Sequence, residues 1–148
     1  MASVLDVASY ILHKQGQMTS MKLQKLVYYS QGWSLAWDDV PLFDEDFEAW
    51  ANGPVCPRLF GFHRGLFVLE PDHFDQFGIK YDAELDENQR ETIDIVLEYY
   101  GEKEPYWLST LSHTETPWKD ARKGFAPGTP SSEVITKESM QLYYGGLE

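Results

Sequence analysis

Hydrophobic and polar residues follow a helical period over residues 21–37. Small and apolar side chains recur there at steps of three and four, at Leu23, Leu26, Val27, Ser30, Trp33 and Trp37. Thr19 or Ser20 can cap the first turn through a side-chain oxygen. The pattern predicts a central helix that buries this face, with a polar outer edge formed by Lys22, Lys25, Tyr28 and Gln31.

Other helices are predicted on both sides of the central one. The signals are capping residues, proline at a first turn, glycine at an end and apolar residues at helical spacing. A capping-box pair, Ser3 with Asp6, opens the first helix, and Asp86 with Gln89 opens another. The predicted helices cover residues 3–16, 57–66, 86–101, 105–112, 116–121 and 136–144.

A small β element is predicted after the central helix. Residues 47–51 alternate between apolar and polar, which is typical of a strand, and residues 40–43 can pair with them as a hairpin. Residues 52–54, Asn-Gly-Pro, are predicted to end any regular element. Residues 68–85 and 123–132 are predicted to be loops, the first with a short strand near 79–81. The predicted fold is mainly α, one compact domain over residues 1–148, with about six helices and a small β-hairpin.

Composition narrows the class of protein. With 148 residues and 43% hydrophobic residues, the chain can form a core without disulfides. The net charge of -12 disfavours nucleic-acid binding, because a phosphate backbone would be repelled, and it suits a basic partner or simple solubility. We expect a cytoplasmic protein, because no apolar run reaches membrane length and the first residues lack the layout of a signal peptide.

Candidate chemistry is sparse. His13, His63, His73 and His113 are scattered without metal-ligand spacing, and no phosphate-binding or nucleophile motif is present. Cys56 and His113 could meet as a nucleophilic pair, but a small buried thiol is the favoured role for Cys56. We therefore predict no catalytic residue, no metal and no cofactor.

Two segments leave functional alternatives open. The acidic run Asp38, Asp39, Asp44, Glu45, Asp46 and Glu48 is typical of a solvated turn, but it could also receive a basic partner or mimic a phosphate backbone. Residues 112–118 contain a histidine, a carboxylate and a tryptophan beside a helix break. His113 can either fix that turn by hydrogen bonding or contact a ligand.

Three sequence blocks stand out together: KLQKLVYYSQGWSLAW at 22–37, PLFDEDFEAWANGPV at 41–55 and LSHTETPWKDAR at 111–122. In their order and spacing they resemble the Panacea domain family, which includes GepA-like phage-associated proteins and SocA-like antitoxins. The stretch VITKESMQLYY at 134–144 resembles the C-terminal end of the family. The resemblance covers nearly the whole chain, and the part between about residues 67 and 89 matches nothing in it.

The resemblance implies a binding protein rather than an enzyme. Its expected partner is a cognate protein toxin, neutralised directly or, as for a SocA-like member, handed to a bacterial ClpXP-type ATP-dependent protease. Motif positions and physical reasoning together give the expected partner-binding residues: Lys22, Lys25, Tyr28, Gln31, Trp50, Gly53, Pro54, His113, Glu115 and Trp118. We expect the polar edge of the central helix to meet the 53–54 turn and the 113–118 segment at one site.

Two further hypotheses come from other classes of protein. The charge and the acidic run motivate an alternative, an acidic phage or prophage protein that blocks a nucleic-acid-binding protein. An enzyme using Cys56, His113 and Glu115 is disfavoured, because no complete catalytic constellation is visible.

Overall fold

Seven α-helices and five short strands form the described part of the chain, residues 2–81 and 83–147 of a computed structural model. The predicted loop at 68–85 is therefore described apart from residue 82. The elements are α1 Val4–Gln15, β1 Met18–Thr19, α2 Ser20–Asp38, β2 Phe47–Trp50, β3 Gly53–Val55, α3 Pro57–Gly61, β4 Val68–Leu69, a 3-10 helix at His73–Phe77, α4 Glu87–Tyr100, α5 Pro105–Thr114, α6 Thr116–Ala121, β5 Val134–Ile135 and α7 Lys137–Gly145. The predicted class, mainly α with a small β part, is confirmed.

Local signals fix the ends of the helices. The Ser3 side chain accepts hydrogen bonds from the first turn of α1, and Asp6 accepts one from the Ser3 N–H, which completes a capping box. Asp86 and Gln89 form the same arrangement at α4, as predicted. Thr19 caps α2 by accepting from the Lys22 N–H at 3.1 Å.

The three-stranded sheet differs from the predicted hairpin. Strand β2 forms in the predicted place, but residues 40–43 form no strand, and β2 instead pairs antiparallel with β3 on one side and β5 on the other. Glu48 lies opposite Val55 in β3 and Val134 in β5. The expectation that residues 52–54 end regular structure is wrong, because Gly53 and Pro54 form β3.

Two other predictions differ from the structure, the end of α3 and the position of a further short strand. Helix α3 ends at Gly61 rather than residue 66, and its continuation turns so that His63 is buried while Phe67 is exposed. No strand forms at 79–81, whereas β1 and β4 pair through Met18 and Leu69. These strands escaped prediction because two-residue pairs show no periodicity along the chain.

Helix α2 is the centre of the fold. Helices α1, α4, α5 and α7 all contact it, and it is buried nearly all round. Tyr28 packs edge-on against Phe47 from the sheet and Tyr144 from α7. Gly32 lies under the Tyr144 ring, so α7 approaches α2 closely. None of the described helices combines the length and the apolarity needed to cross a bilayer.

Candidate partner-binding site

Polar side chains of α2 point inward instead of forming an outer edge. Lys25 is 0% exposed and Gln31 is 1% exposed, so the prediction of an exposed edge at these residues and at the buried Tyr28 is wrong. Gln31 donates to the Phe43 carbonyl at 2.9 Å and accepts from the Leu42 N–H at 2.7 Å. Gln31 is inside because it satisfies backbone groups of the irregular segment that follows α2.

The Lys25 ammonium group lies at the junction of two of the predicted motifs. Its Nζ donates to the Pro54 carbonyl at 3.1 Å, and within the described residues no carboxylate forms a salt bridge with it. Burial without a counter-charge lowers the pKa of Lys25 to about 7. This lysine therefore acts as a buried hydrogen-bond donor that joins α2 to β3.

Gly53 allows the 112–118 segment to pack close to β3 and the Lys25 side chain. Its φ is +120°, and a Cβ at this position would lie 2.5 Å from Lys25 Cε and 3.0 Å from Ser112 Oγ. The backbone of β3 is thus held between the Lys25 side chain of α2 and the start of the 112–118 segment. Glycine fits both requirements, the positive φ and the missing Cβ.

The 112–118 segment is fixed by stacking and by hydrogen bonds to β2. His113 stacks on Trp118 with ring centroids 4.1 Å apart, and the Trp118 indole N–H donates to the Trp50 carbonyl at 2.9 Å. Burial, and then the positive charge of Lys25, lower the pKa of His113. His113 Nε2 is buried, and among the described residues it has no hydrogen-bond partner.

Glu115 belongs to a separate buried network. Its Oε1 accepts hydrogen bonds from the hydroxyls of Tyr29 and Tyr144, each at 2.8 Å. Burial raises the pKa of Glu115, while both tyrosine hydrogen bonds act in the opposite direction. The network joins α2, α7 and the break between α5 and α6.

Six of the ten predicted partner-binding residues are buried, namely Lys25, Tyr28, Gln31, Gly53, Pro54 and Glu115. A partner cannot touch most of their surface without rearrangement, so their direct effect is on the shape of the site. Lys22, Trp50, His113 and Trp118 are half-buried. The structure brings Lys25, the Gly53–Pro54 part of β3 and the 112–118 segment together, whereas Gln31 lies apart on Leu42 and Phe43.

Trp50 borders a surface cavity of about 610 Å³, which we call the Trp50 cavity. The Trp50 ring packs edge-on against Phe60 at 5.1 Å, and its N–H donates to Glu48 at 2.9 Å. Gln24 and His63 lie at the cavity with their side-chain nitrogens 3.0 Å apart. The other lining residues come from several parts of the chain: Ser20, Met21, Ala51, Asn52, Val55, Gly65, Leu66 and residues 130–132.

Sequence reasoning identified Trp50 but missed its neighbours in the cavity. No local sequence pattern indicates that Phe60 and His63 meet Trp50 and residues 130–132. Walls of this kind, mostly apolar with a few polar groups, suit a protruding side chain of a partner protein.

The acidic run is largely engaged within the fold. Asp38 accepts from Asn88 and Thr92, and Asp39 accepts from Gln141 at 2.8 Å. Glu45 pairs with Arg58 at 2.6 Å, and Asp46 pairs with Lys137 at 2.8 Å. These contacts support a structural turn more than a free anionic surface.

The surroundings of Cys56 disfavour a reactive thiol. Cys56 is buried, and burial raises the pKa of its thiol, which lowers the fraction present as the nucleophilic thiolate. Over residues 2–81 and 83–147, no group of three or more His, Cys, Asp or Glu side chains could hold a metal ion.

Comparisons with known proteins agree with the sequence blocks. The family described as antitoxin SocA-like, Panacea domain, matches residues 23–119. Antitoxin SocA of Caulobacter vibrioides (strain NA1000 / CB15N) is 30% identical over 135 residues, which covers 83% of this chain and 71% of the relative. No solved structure matches the chain significantly.

Proposed function

The chain belongs to the antitoxin SocA-like, Panacea-domain family, and from that membership we propose that it neutralises a cognate small protein toxin by binding it directly. The observation that supports this most is the family match over residues 23–119, which includes Trp50, strand β3 and the 113–118 segment. Binding rather than catalysis also fits this site, because Lys25 and Glu115 are buried and hydrogen-bonded within the fold.

We propose the Trp50 cavity as the toxin-contacting surface. Trp50 is half-buried, and aromatic side chains at the edge of a pocket often dominate the binding energy of protein interfaces. Behind the Trp50 ring, the Trp118 indole N–H donates a hydrogen bond to the Trp50 carbonyl. Arg122 donates to the carbonyl of Ala49, the preceding residue, at 2.9 Å. Trp118 and Arg122 thus keep the cavity wall in place before a partner arrives, which reduces the entropic cost of binding.

The test is co-expression with the small protein encoded next to this chain, with growth rescue and co-purification as readouts. Trp50→Ala should weaken co-purification by at least about tenfold, as expected for an interfacial anchor. Its melting temperature should stay close to that of the wild type, because Trp50 is only half-buried. Tyr106→Ala is the matched control, since Tyr106 is an aromatic residue that is 82% exposed and outside the cavity.

Two results would contradict the proposal at different levels. A neighbouring protein that is neither toxic nor co-purified would remove the antitoxin role. Rescue that persists in Trp50→Ala would leave the role standing and place the toxin elsewhere on the surface.

A finer proposal is that the protein also delivers the toxin to a ClpXP-type protease in the cytoplasm, as the family resemblance implies. The toxin should then disappear faster when this chain is present, and only in cells that contain the protease. Equal toxin lifetimes in cells with and without the protease would leave direct blocking as the mechanism.

The alternative, an acidic protein that blocks a nucleic-acid-binding protein, rests on the net charge of -12. The internal contacts of Asp38, Asp39, Glu45 and Asp46 count against it. Replacing Asp38, Asp39, Asp44, Glu45 and Asp46 together by their amides should abolish partner binding if the alternative holds. If the amide variant folds and still binds its partner, the alternative function is wrong.

A further inference from the structure

An aromatic groove lies between α2, α4, α5 and α7, and none of its lining residues belongs to the Trp50 cavity. Its volume is about 540 Å³. Three large side chains on different helices form its walls and remain partly open to solvent: Trp37 at 38%, Tyr99 at 65% and Trp107 at 40% exposed. Large apolar side chains exposed together on one surface commonly mark an interaction site.

The floor of the groove is rigid. Trp33 Nε1 donates to the Tyr100 hydroxyl at 3.1 Å, and the Tyr100 ring stacks on Tyr29 with centroids 4.4 Å apart. Trp33 also packs against Trp37 at 5.1 Å, which connects the floor to one wall. A groove whose aromatic side chains are already held in place loses little conformational freedom on binding.

A carboxylate lies at the base of these aromatic walls. Glu115 lines the groove, and both of its side-chain hydrogen bonds within the described residues go to Oε1. No Lys, Arg or His of the described part of the chain forms an ion pair with it. An unpaired buried carboxylate is energetically costly, and a cationic side chain that enters the groove would reduce that cost.

Charge beside the groove is negative on balance. Ile95 lines the groove and also borders a neighbouring pocket, where four acidic side chains outnumber Lys14 and Arg90: Glu87, Glu91, Asp94 and Glu98. The aromatic wall already holds one cation, since Lys103 Nζ lies 4.7 Å from the centroid of the Trp107 ring. A second copy of this chain is a poor occupant, because two chains with a net charge of -12 repel each other.

We propose that this groove binds a short basic amphipathic segment of a partner protein. An apolar side chain of the segment packs between Trp37 and Trp107, and a lysine or arginine reaches Glu115. The groove and the carboxylate support this inference independently of the antitoxin role and of the Trp50 cavity.

The test uses two labelled helical peptides of the same length, one of leucine and lysine and one of leucine and glutamate, with fluorescence anisotropy as the readout. The lysine peptide should bind the full chain. Trp107→Ala and Glu115→Gln should each raise its Kd by at least about tenfold. Tyr106→Ala, on the same helix but outside the groove, and Glu133→Gln, the same charge change at an exposed site, should leave the Kd within about twofold of wild type.

Several outcomes would overturn the proposal. These are no binding of the lysine peptide, equal binding of the glutamate peptide, or an unchanged Kd in Trp107→Ala. A wild-type dimer that becomes a monomer in Trp107→Ala would show instead that a second copy occupies the groove. If Glu115→Gln lowers the melting temperature, the double variant Tyr99→Ala/Trp107→Ala decides the question, since both side chains are partly exposed and neither belongs to the Glu115 network.

Discussion

At Lys25, a fully buried ammonium group has a backbone carbonyl as its hydrogen-bond partner. Burial of the charge is costly, whereas the neutral amine can still donate to Pro54. The lowered pKa, about 7, means that near neutral pH the folded protein holds this proton weakly. The residue therefore couples folding to pH without being accessible to solvent.

We expect the free energy of unfolding to rise with pH between about 7 and 10.5. The lower limit is the pKa of Lys25 in the folded protein, and the upper limit is the ordinary pKa of a lysine side chain. In this window the unfolded chain binds the proton and the folded chain does not, so stability increases with pH. Below about pH 7 both states are protonated and the full cost of the buried charge, on the order of a few kcal/mol, is present. Urea unfolding at pH 7 and pH 9 measures the difference.

Lys25→Met supplies the test of this assignment. The methionine variant lacks the titrating group, so it should lose that increase, while Lys22→Met, at the half-buried neighbouring lysine, should follow the wild type. Parallel pH profiles for wild type and Lys25→Met would refute the role of Lys25.

At the scale of elements, α2 explains both the success and the failure of sequence-based prediction. Capping residues and apolar spacing located the helix to within a residue at each end. Its outer edge could not be predicted, because Lys25 and Gln31 are buried through bonds to backbone carbonyls that lie 29 and 12 residues away. Such partners come from the tertiary fold, and helical periodicity contains no information about them.

The strands show the same limit. Strand β2 was visible from alternation, but its partners were not, since β5 joins it from the far end of the chain. The Trp50 cavity likewise combines α2, the sheet, α3 and residues 130–132. Sequence motifs indicated Trp50, whereas the cavity itself depends on these long-range pairings.

Packing of α7 on α2 gives an element-scale prediction at Gly32. An alanine Cβ there would lie 2.8 Å from Cδ2 of Tyr144, whose ring is buried and whose hydroxyl is bonded to Glu115. In an open helix, Gly→Ala gains about 1 kcal/mol, but overpacking costs about 1–3 kcal/mol. Gly32→Ala should therefore be destabilising in urea unfolding.

Gly61→Ala is the control, because no atom lies within 4 Å of a Cβ at that helical position. It should be neutral or slightly stabilising. Equal stability of the two variants would show that α7 moves away from α2 at little cost.

At the scale of the whole molecule, the hydrophobic core extends beyond the residues that the family model matches. The match ends at residue 119, yet Ile135, Met140 and Tyr144 are buried in the same core as α2. Strand β5 completes the sheet beside β2, and Tyr144 completes the Glu115 network. The segment after residue 119 therefore supplies part of the core as well as one edge of the sheet.

A chain that ends at Arg122 should lose cooperative thermal unfolding and near-ultraviolet circular dichroism. It lacks β5 and α7, so Phe47, Tyr28 and Gly32 would be exposed to water on the face of α2 and β2. Removing residues 147 and 148 alone should preserve both signals, because Leu147 is 55% exposed. A cooperative transition in the chain ending at Arg122 would contradict this account.

Residues 123–133 have a further consequence, because they are the covalent link between β5–α7 and the rest of the core. Nearly all of them are exposed, although Arg122 binds the carbonyls of Ala126 and Thr129. While the link is intact, α7 is presented to α2 at a high effective concentration. One cut within it would leave two complementary fragments whose reassociation obeys mass action, so folding would change from a first-order to a second-order process.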